Sequence, residues 1–311
     1  MDRALIDLGS NSIRLSVYKC EEDRITGIFN EKEFAGLAGY VTDGVLQPAG
    51  IQKACSVING FKDTASRFVD PSGISVFATA SLRNIKNRDE AVKIIAEETL
   101  LVPDVLDGEE EAGLGFIGAS DFIKSDDGIM IDIGGASTEL VLFREKKAEQ
   151  LVSLPIGCLN LSLGHIARII PTERECRRMN ADIAKRFSDI PWAKGVRFRN
   201  LSGIGGTLRA ALRLSRVLFD SPYKENTIDA DRVGELIKLL KSNRSNLYHT
   251  VYRAIPERLM TISAGLAVLR HAIEAFGCET VSVSKNGLRE GYLTEKVLKK
   301  TKKHVVEQAN E

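Results

Sequence analysis

The chain has 311 residues, 27% of them charged, with 43 basic against 42 acidic side chains and a net charge of +1. That length suggests two domains, each able to bury a core, and the near-cancellation of charge excludes a general nucleic-acid or membrane-surface binder, so any anion site must be local. Five scattered cysteines without a C-x-x-C pair indicate neither a disulfide framework nor a zinc site, and no apolar run approaches the ~18 residues of a membrane span, so a cytoplasmic chain is expected.

In chain order, a short apolar run at 4–6 leads into Asp7-Leu8-Gly9-Ser10-Asn11-Ser12 and then into alternating apolar residues. This is the pattern of strand, tight glycine turn, strand. Ile51, Ala54, Val57, Ile58, Phe61, Ala65 and Phe68 recur at helical spacing, and Ile74, Val76 and Ala78 alternate as in a strand. Asn87 is placed to cap a helix running to about Thr99. A strand near Val105 precedes an acidic helix start, Asp107-Gly108-Glu109-Glu110-Glu111-Ala112, and the polar stretch 124–127 reads as the linker between domains 1–123 and 124–311.

The second half opens on the same motif. Asp132-Ile133-Gly134-Gly135-Ala136-Ser137 aligns without gaps on the segment from Asp7, and both copies continue as D-[LI]-G-x-x-S-x-x-L-x-[VL]-[YF]. Thr172 and Glu175 form a T-x-x-E capping box for one helix, Gly205-Gly206-Thr207 opens another, and a long apolar helix is expected over 256–276 with Gly277 as its stop. A strand at 280–283 and Gly287-Leu288-Arg289-Glu290-Gly291 precede a last helix and a charged tail from 299, which frays or crosses back to the first domain. The common Walker and dinucleotide glycine motifs are absent.

The chemistry follows from these turns. Glycine lets the backbone approach an anion, so that successive N–H groups, a serine hydroxyl and a cation held by the aspartate act together. Two such hairpins facing one another across a cleft would clamp phosphate and metal from both sides. The helix start at Gly205-Gly206-Thr207 can add further N–H donors. One carboxylate of Glu109-Glu110-Glu111 could take a proton from an attacking water, although acids in a first helical turn are also favoured by the helix dipole alone. Arg209, Arg213 and Arg216 fall on one helix stripe beside the phosphate turn, suited to guiding a polyanion, or else to a solvated face.

Together with Ala78-Thr79-Ala80-Ser81-Leu82-Arg83, Ser153-Leu154-Pro155-Ile156-Gly157 and G-L-R-E-G from Gly287, these motifs resemble, in order and over nearly the whole chain, the exopolyphosphatase and guanosine pentaphosphate phosphohydrolase family. The resemblance implies an α/β, two-lobed fold of the actin-like ATPase (ribonuclease H-like) superfold with an interdomain cleft. It implies hydrolysis of a terminal phosphate with Mg2+, or Mn2+ in its place. Glu111 would be the catalytic base; Asp132, Glu139 and Asp7 would be the metal-site acids; Ser10, Asn11, Arg83, Gly134, Gly135, Ser137, Gly205, Gly206 and Thr207 would bind phosphate.

The chain departs from the family pattern at Ala136, where glycine is usual, and at Asp107, which adds a charge beside the proposed base. His165, His249, His271 and His304 lack the following aspartate of the metal dyad that longer members carry, so a short, two-domain form is expected, a homodimer by resemblance. The leading expectation is an exopolyphosphatase acting on inorganic polyphosphate. The alternative substrate is guanosine pentaphosphate, and other classes are a kinase or a non-catalytic polyphosphate or alarmone sensor.

Overall fold

The structure is a computed structural model and describes residues 2–22, 24–219, 226–242, 244–299 and 305–307. Of the charged tail, residues 300–304 and 308–311 lie outside the described residues. The chain forms two compact units, residues 1–114 with 289–311, and residues 115–288. The divisions fall between Leu114 and Gly115, within a helix, and between Leu288 and Arg289, whereas the sequence reading drew one division at 123/124.

In the first unit, β1 (Asp2–Leu8) and β2 (Ile13–Cys20) form the first glycine hairpin, followed by β3 (Arg24–Glu33) and a two-rung ladder of β4 (Val41–Thr42) with β5 (Val45–Leu46). Helix α1 (Pro48–Ala65) begins with proline at its first turn, where no intrahelical N–H is lost, and buries Ile51, Ala54, Val57, Ile58 and Phe61. Phe68 lies beyond its end. Then come β6 (Ile74–Ala78), the short α2 (Ala80–Arg83), α3 (Arg88–Thr99), β7 (Asp104–Val105) and α4 (Gly108–Ala119). Asn87 sits at the start of α3 but does not cap it with its side chain. Its amide instead pairs with both the N–H and the carbonyl of Leu46, at 2.9 and 3.0 Å, pinning the β5 end.

The second unit opens with the same three-stranded meander and then follows its own order of elements. Strands β8 (Gly128–Ile133), β9 (Thr138–Arg144) and β10 (Lys147–Leu154) lead to α5 (Cys158–His165) and α6 (Glu173–Ser188), then β11 (Asn200–Ile204), α7 (Gly205–Phe219), β12 (Thr227–Asp229), α8 (Ala230–Ser242), α9 (Arg244–Ala254), α10 (Ile262–Phe276) and β13 (Thr280–Val283). The helix expected over 256–276 is broken: a 3-10 turn, Pro256–Arg258, is separated from α10 by a turn in which the Thr261 N–H bonds the Arg258 carbonyl. Proline opens this short turn, and α10 starts only once the chain has rounded it. Gly277 ends α10 at φ +64°, in the left-handed conformation that glycine adopts without penalty. Finally α11 (Leu288–Tyr292) and a π-helical turn (Leu293–Val297) lead back to β14 (Val305–Glu307).

Each unit is built on a six-stranded sheet, ordered β14-β3-β2-β1-β6-β7 and β10-β9-β8-β11-β13-β12. In both, an antiparallel three-stranded meander is joined through its first strand to parallel partners. The gapless motif repeat is therefore a repeat of position: β1–β2 and β8–β9 are the same central hairpin in each sheet. Buried central strands carry near-continuous apolar runs rather than alternation, as at Ala4, Leu5, Ile6 and at Ile129, Met130, Ile131. Among the described residues no helix is long and apolar enough to cross a membrane.

Candidate active site

In the first unit the turn of the β1–β2 hairpin depends on Gly9, where a Cβ would lie 2.8 Å from the Ser12 carbonyl oxygen. The neighbouring backbone is braced: the Gly36 N–H donates to the Asn11 carbonyl at 2.9 Å and the Ala38 N–H to that of Ser10 at 3.0 Å. Ser10 is buried. Asp7, half-buried, stands opposite Arg14 across the hairpin. Burial pushes its carboxyl up from the ordinary aspartate range, against the guanidinium groups of Arg289 and Arg14.

Arg83 ends α2, a helix fastened to the hairpin by the Ser81 hydroxyl, which donates to the Leu8 carbonyl. From there its Nη1 donates to the Leu106 carbonyl at 3.2 Å and to Glu111 Oε2 at 2.5 Å. Both side chains of this ion pair are largely buried, at 15% and 11% exposure. A buried carboxylate needs a cation or donors to remain charged, and Arg83 meets that need while a guanidinium's five donors allow it to hold other oxygens as well. Asp107 does not crowd the pair: its Oδ1 accepts the Glu110 N–H at 2.8 Å, so it serves as the N-cap of α4. Of the other acids in the run, Glu109 is exposed and Glu110 is ion-paired to Lys296.

In the second unit three chain segments converge on Asp132. Glu139 stands directly opposite it in the β8–β9 register, as Arg14 stands opposite Asp7. The repeat thus pairs acid with base in one hairpin and acid with acid in the other. Glu139 is 1% exposed and accepts the Ser153 hydroxyl at 2.7 Å. The end of β11 lies beside Asp132, and Gly205, at φ +83°, brings its backbone so close that a Cβ there would strike Asp132 Oδ1. The Thr207 hydroxyl donates to the Ile133 carbonyl at 2.7 Å, tying the start of α7 to the hairpin turn.

The turn at 134–137 closes by a bond from the Gly134 N–H to the Ser137 carbonyl at 2.9 Å. It is gripped from behind by the start of α5, where the Leu159 N–H donates to Gly135 at 2.8 Å and the Asn160 side-chain amide to Ala136 at 2.9 Å. Gly157 makes the grip possible, because a Cβ there would come within 2.5 Å of the Gly135 carbonyl. Ala136 fits in this turn without a left-handed backbone. Sequence reasoning assigned no role to Ser153, Gly157 or Asn160. The S-L-P-I-G stretch is the only signal for Ser153 and Gly157, and Asn160 lies outside it.

The structure therefore brings Asp132, Glu139, Gly134, Gly135, Ser137, Gly205, Gly206 and Thr207 together in one unit, and Arg83 with Glu111 in the other. The arginine stripe is partly engaged: Arg209 donates to the Lys285 carbonyl at 3.3 Å and Arg216 to Asn226 Oδ1 at 3.1 Å, while Arg213 is exposed. Among the described residues no three His, Cys, Asp or Glu side chains gather as a ready cation cage. Magnesium seldom needs one, since it keeps waters and substrate phosphates around one or two carboxylates. A half-buried Asp132 with the acidic Glu139 beside it fits that requirement.

The Ppx/GppA phosphatase family model matches residues 16–300. The chain is 29% identical over 301 residues to a guanosine-5'-triphosphate,3'-diphosphate pyrophosphatase of Pseudoalteromonas atlantica, covering 93% of this chain and 57% of that protein. It is 25% identical over 311 residues to a bifunctional 3-dehydroquinate synthase/phosphatase of Fusobacterium nucleatum, covering 95% and 46%. The chain thus spans about half the length of the curated relatives it matches. Among solved structures, the Aquifex aeolicus Ppx/GppA family member superposes with a TM-score of 0.79 at 26% identity, covering 97% of this chain and 99% of that one. An exopolyphosphatase from Cytophaga hutchinsonii shares the fold, with a TM-score of 0.82 at 21% identity and coverage of 97% and 99%. With its two repeated α/β sheets of the actin-like ATPase type, this chain belongs to the Ppx/GppA phosphatase family.

Proposed function

We propose that the chain is a phosphoanhydride hydrolase that removes the terminal phosphate of a linear polyanionic substrate. The observation that carries this reading is the buried Arg83–Glu111 ion pair, a charged couple that no packing need explains, held at the start of α4 by three separate backbone anchors. In this reading Glu111 accepts a proton from water as the water oxygen bonds to the terminal phosphorus. The bond from that phosphorus to its bridging oxygen breaks, and the electron pair leaves with the shortened chain. Arg83 balances the carboxylate charge and offers donors to the phosphoryl oxygens. The N–H groups of Gly135 and Ala136 and of the α7 start hold phosphate oxygens with Ser137. Gly134 closes the turn and Thr207 takes part through its backbone, because its hydroxyl is given to Ile133. Ser10 and Asn11 occupy the matching turn of the first unit. Bound at Asp132 with Glu139, Mg2+ or Mn2+ would neutralise phosphate charge and align the leaving group; Asp7 is the corresponding acid of the first unit's hairpin, where Arg14 faces it.

The sequence reading put inorganic polyphosphate first. The names of two of the curated relatives move the weight to guanosine pentaphosphate, with polyphosphate as the second substrate. The test is phosphate release from guanosine pentaphosphate, tripolyphosphate, long polyphosphate and ATP, side by side with magnesium. Release from guanosine pentaphosphate at the highest kcat/KM supports the assignment. A preference for long polyphosphate restores the first reading, and no release from any of them leaves the binding-protein reading.

A further inference from the structure

The G-L-R-E-G motif and the chain that follows it play no part in the chemistry above, yet from Arg289 onward this segment belongs to the first unit with Arg83 and Glu111. It is anchored there by buried polar groups. Glu290, 1% exposed, accepts the Tyr18 hydroxyl at 2.7 Å. Arg289 donates to Ser16 Oγ at 2.5 Å and to Asn30 Oδ1 at 3.2 Å. One turn on, the Tyr292 ring stacks on Phe77 with centroids 4.5 Å apart, and its hydroxyl donates to Asp104 Oδ2 at 3.2 Å.

Phe77 and Asp104 are register partners, and both strands lead directly to the ion pair. Strand β6 runs into α2, which ends in Arg83. Strand β7 runs through Leu106, whose carbonyl holds Arg83, to Asp107, the cap of α4. After Tyr292 the helix widens into the π-helical turn Leu293–Val297, a rare irregularity that occurs frequently at functional sites. That turn delivers Lys296, whose Nζ lies 3.8 Å from Asp104 Oδ2 and closer still to Glu110 Oε1. Glu110 and Glu111 leave the helix about 100° apart. One is held by Lys296 and the other by Arg83.

Resting on the reading of Glu111 as the base, we propose that Lys296, paired with Glu110, is a positioning residue that fixes the rotation of the first turn of α4 so that Glu111 meets Arg83. An ion pair as open as this one, with side chains 38% and 30% exposed, contributes little to global stability. Its effect belongs in kcat, because small displacements of a reacting group are costly.

The test uses the full chain with Glu110→Gln, Lys296→Met, Lys296→Arg and the Glu110→Gln/Lys296→Met double variant. Glu111→Gln serves as reference. kcat and KM are measured on whichever of guanosine pentaphosphate or tripolyphosphate is hydrolysed faster, and amide hydrogen exchange is followed over residues 108–114. The two single losses should lower kcat about three- to tenfold, short of the ~10²-fold that a 1 Å misplacement can cost, with KM nearly unchanged and exchange in the first turn of α4 accelerated. Lys296→Arg should behave as wild type, and the double variant should be no slower than Lys296→Met, which already breaks the Glu110 pair along with the contact to Asp104. Unchanged exchange in both single variants would overturn the proposal. So would full kcat in both single variants while Glu111→Gln is slow, or a Lys296→Arg enzyme as slow as Lys296→Met. A Glu111→Gln enzyme at full speed would end the base reading itself, and this proposal with it.

Discussion

At the scale of single residues, the repeated hairpin shows how one position can be kept in backbone and changed in chemistry. Arg14 and Glu139 occupy the same place opposite the motif aspartate, so the acid-rich hairpin of the second unit is the one suited to a cation. Asp132→Asn should therefore cripple phosphate release at ordinary magnesium, with partial recovery when magnesium is raised; full activity without added metal would remove Asp132 from the metal site. Gly157 gives a stability prediction. A methyl group there must displace the Gly135 backbone, a clash that a flexible side chain cannot relieve. Gly157→Ala should lower unfolding stability by about 1–3 kcal/mol, read from a denaturant midpoint with unchanged slope. The acids and glycines of both turns were legible because their residue types are dictated by close backbone approach. Ser153 and Asn160 were not, since a serine on a strand and an asparagine on a helix acquire meaning only through partners 14 and 24 positions away in sequence.

At the scale of elements, local signals were readable where the helix end is self-contained. Thr172 accepts the Glu175 N–H at 3.3 Å, and Glu175 accepts the Thr172 N–H at 2.6 Å. Bonds from the Thr172 backbone, then from that of Ala167, hold the Glu175 carboxyl below its ordinary range. A carboxyl lowered in the folded state adds stability that is complete above its unfolded value and is lost as pH falls through its folded value. Wild type should thus be more stable than Glu175→Gln at neutral pH, and urea unfolding should show that advantage fading under acid conditions. An advantage that grew on acidification would contradict the cap. Asn87 shows the opposite case. Its type and position suit a cap, but the strand end at Leu46 offers its amide a donor and an acceptor together, and that tertiary pair wins. The helix expected over 256–276 misled for a related reason: a continuous apolar pattern cannot show that the chain must turn at 259–261 before its core-facing stripe begins.

At the scale of the whole molecule, the duplication visible in twelve aligned residues extends to five strands of each sheet in the same order, β3-β2-β1-β6-β7 and β10-β9-β8-β11-β13, with the sixth strand added at opposite edges. Central hairpins could be read from the sequence because both copies are buried and glycine-turned; a crossing back to the first unit was expected of the last helix or tail, but its point, after Leu288, depends on Tyr18, Phe77 and Asp104, far away in sequence. The arginine stripe belongs to this scale, since it acts on substrate length. If it guides polyanions, replacing Arg209, Arg213 and Arg216 by Gln should slow release from long polyphosphate more than from tripolyphosphate. Salt should narrow the difference, as screening within about 10 Å at 0.1 M weakens exposed attraction. Arg213 alone should carry most of it, because the other two are bonded to Lys285 and Asn226. Equal losses on both substrates would reduce the stripe to a solvated helix face.

The most direct test of the central claim is the turnover of Glu111→Gln against Glu109→Gln on the preferred phosphoanhydride substrate with magnesium. Glu109 lies on the exposed side of the same first turn and should leave kcat intact. Removing the base should lower kcat by about 10²- to 10⁴-fold while KM changes little. A Glu111→Gln enzyme that keeps its kcat, or that loses affinity in place of rate, would contradict the account.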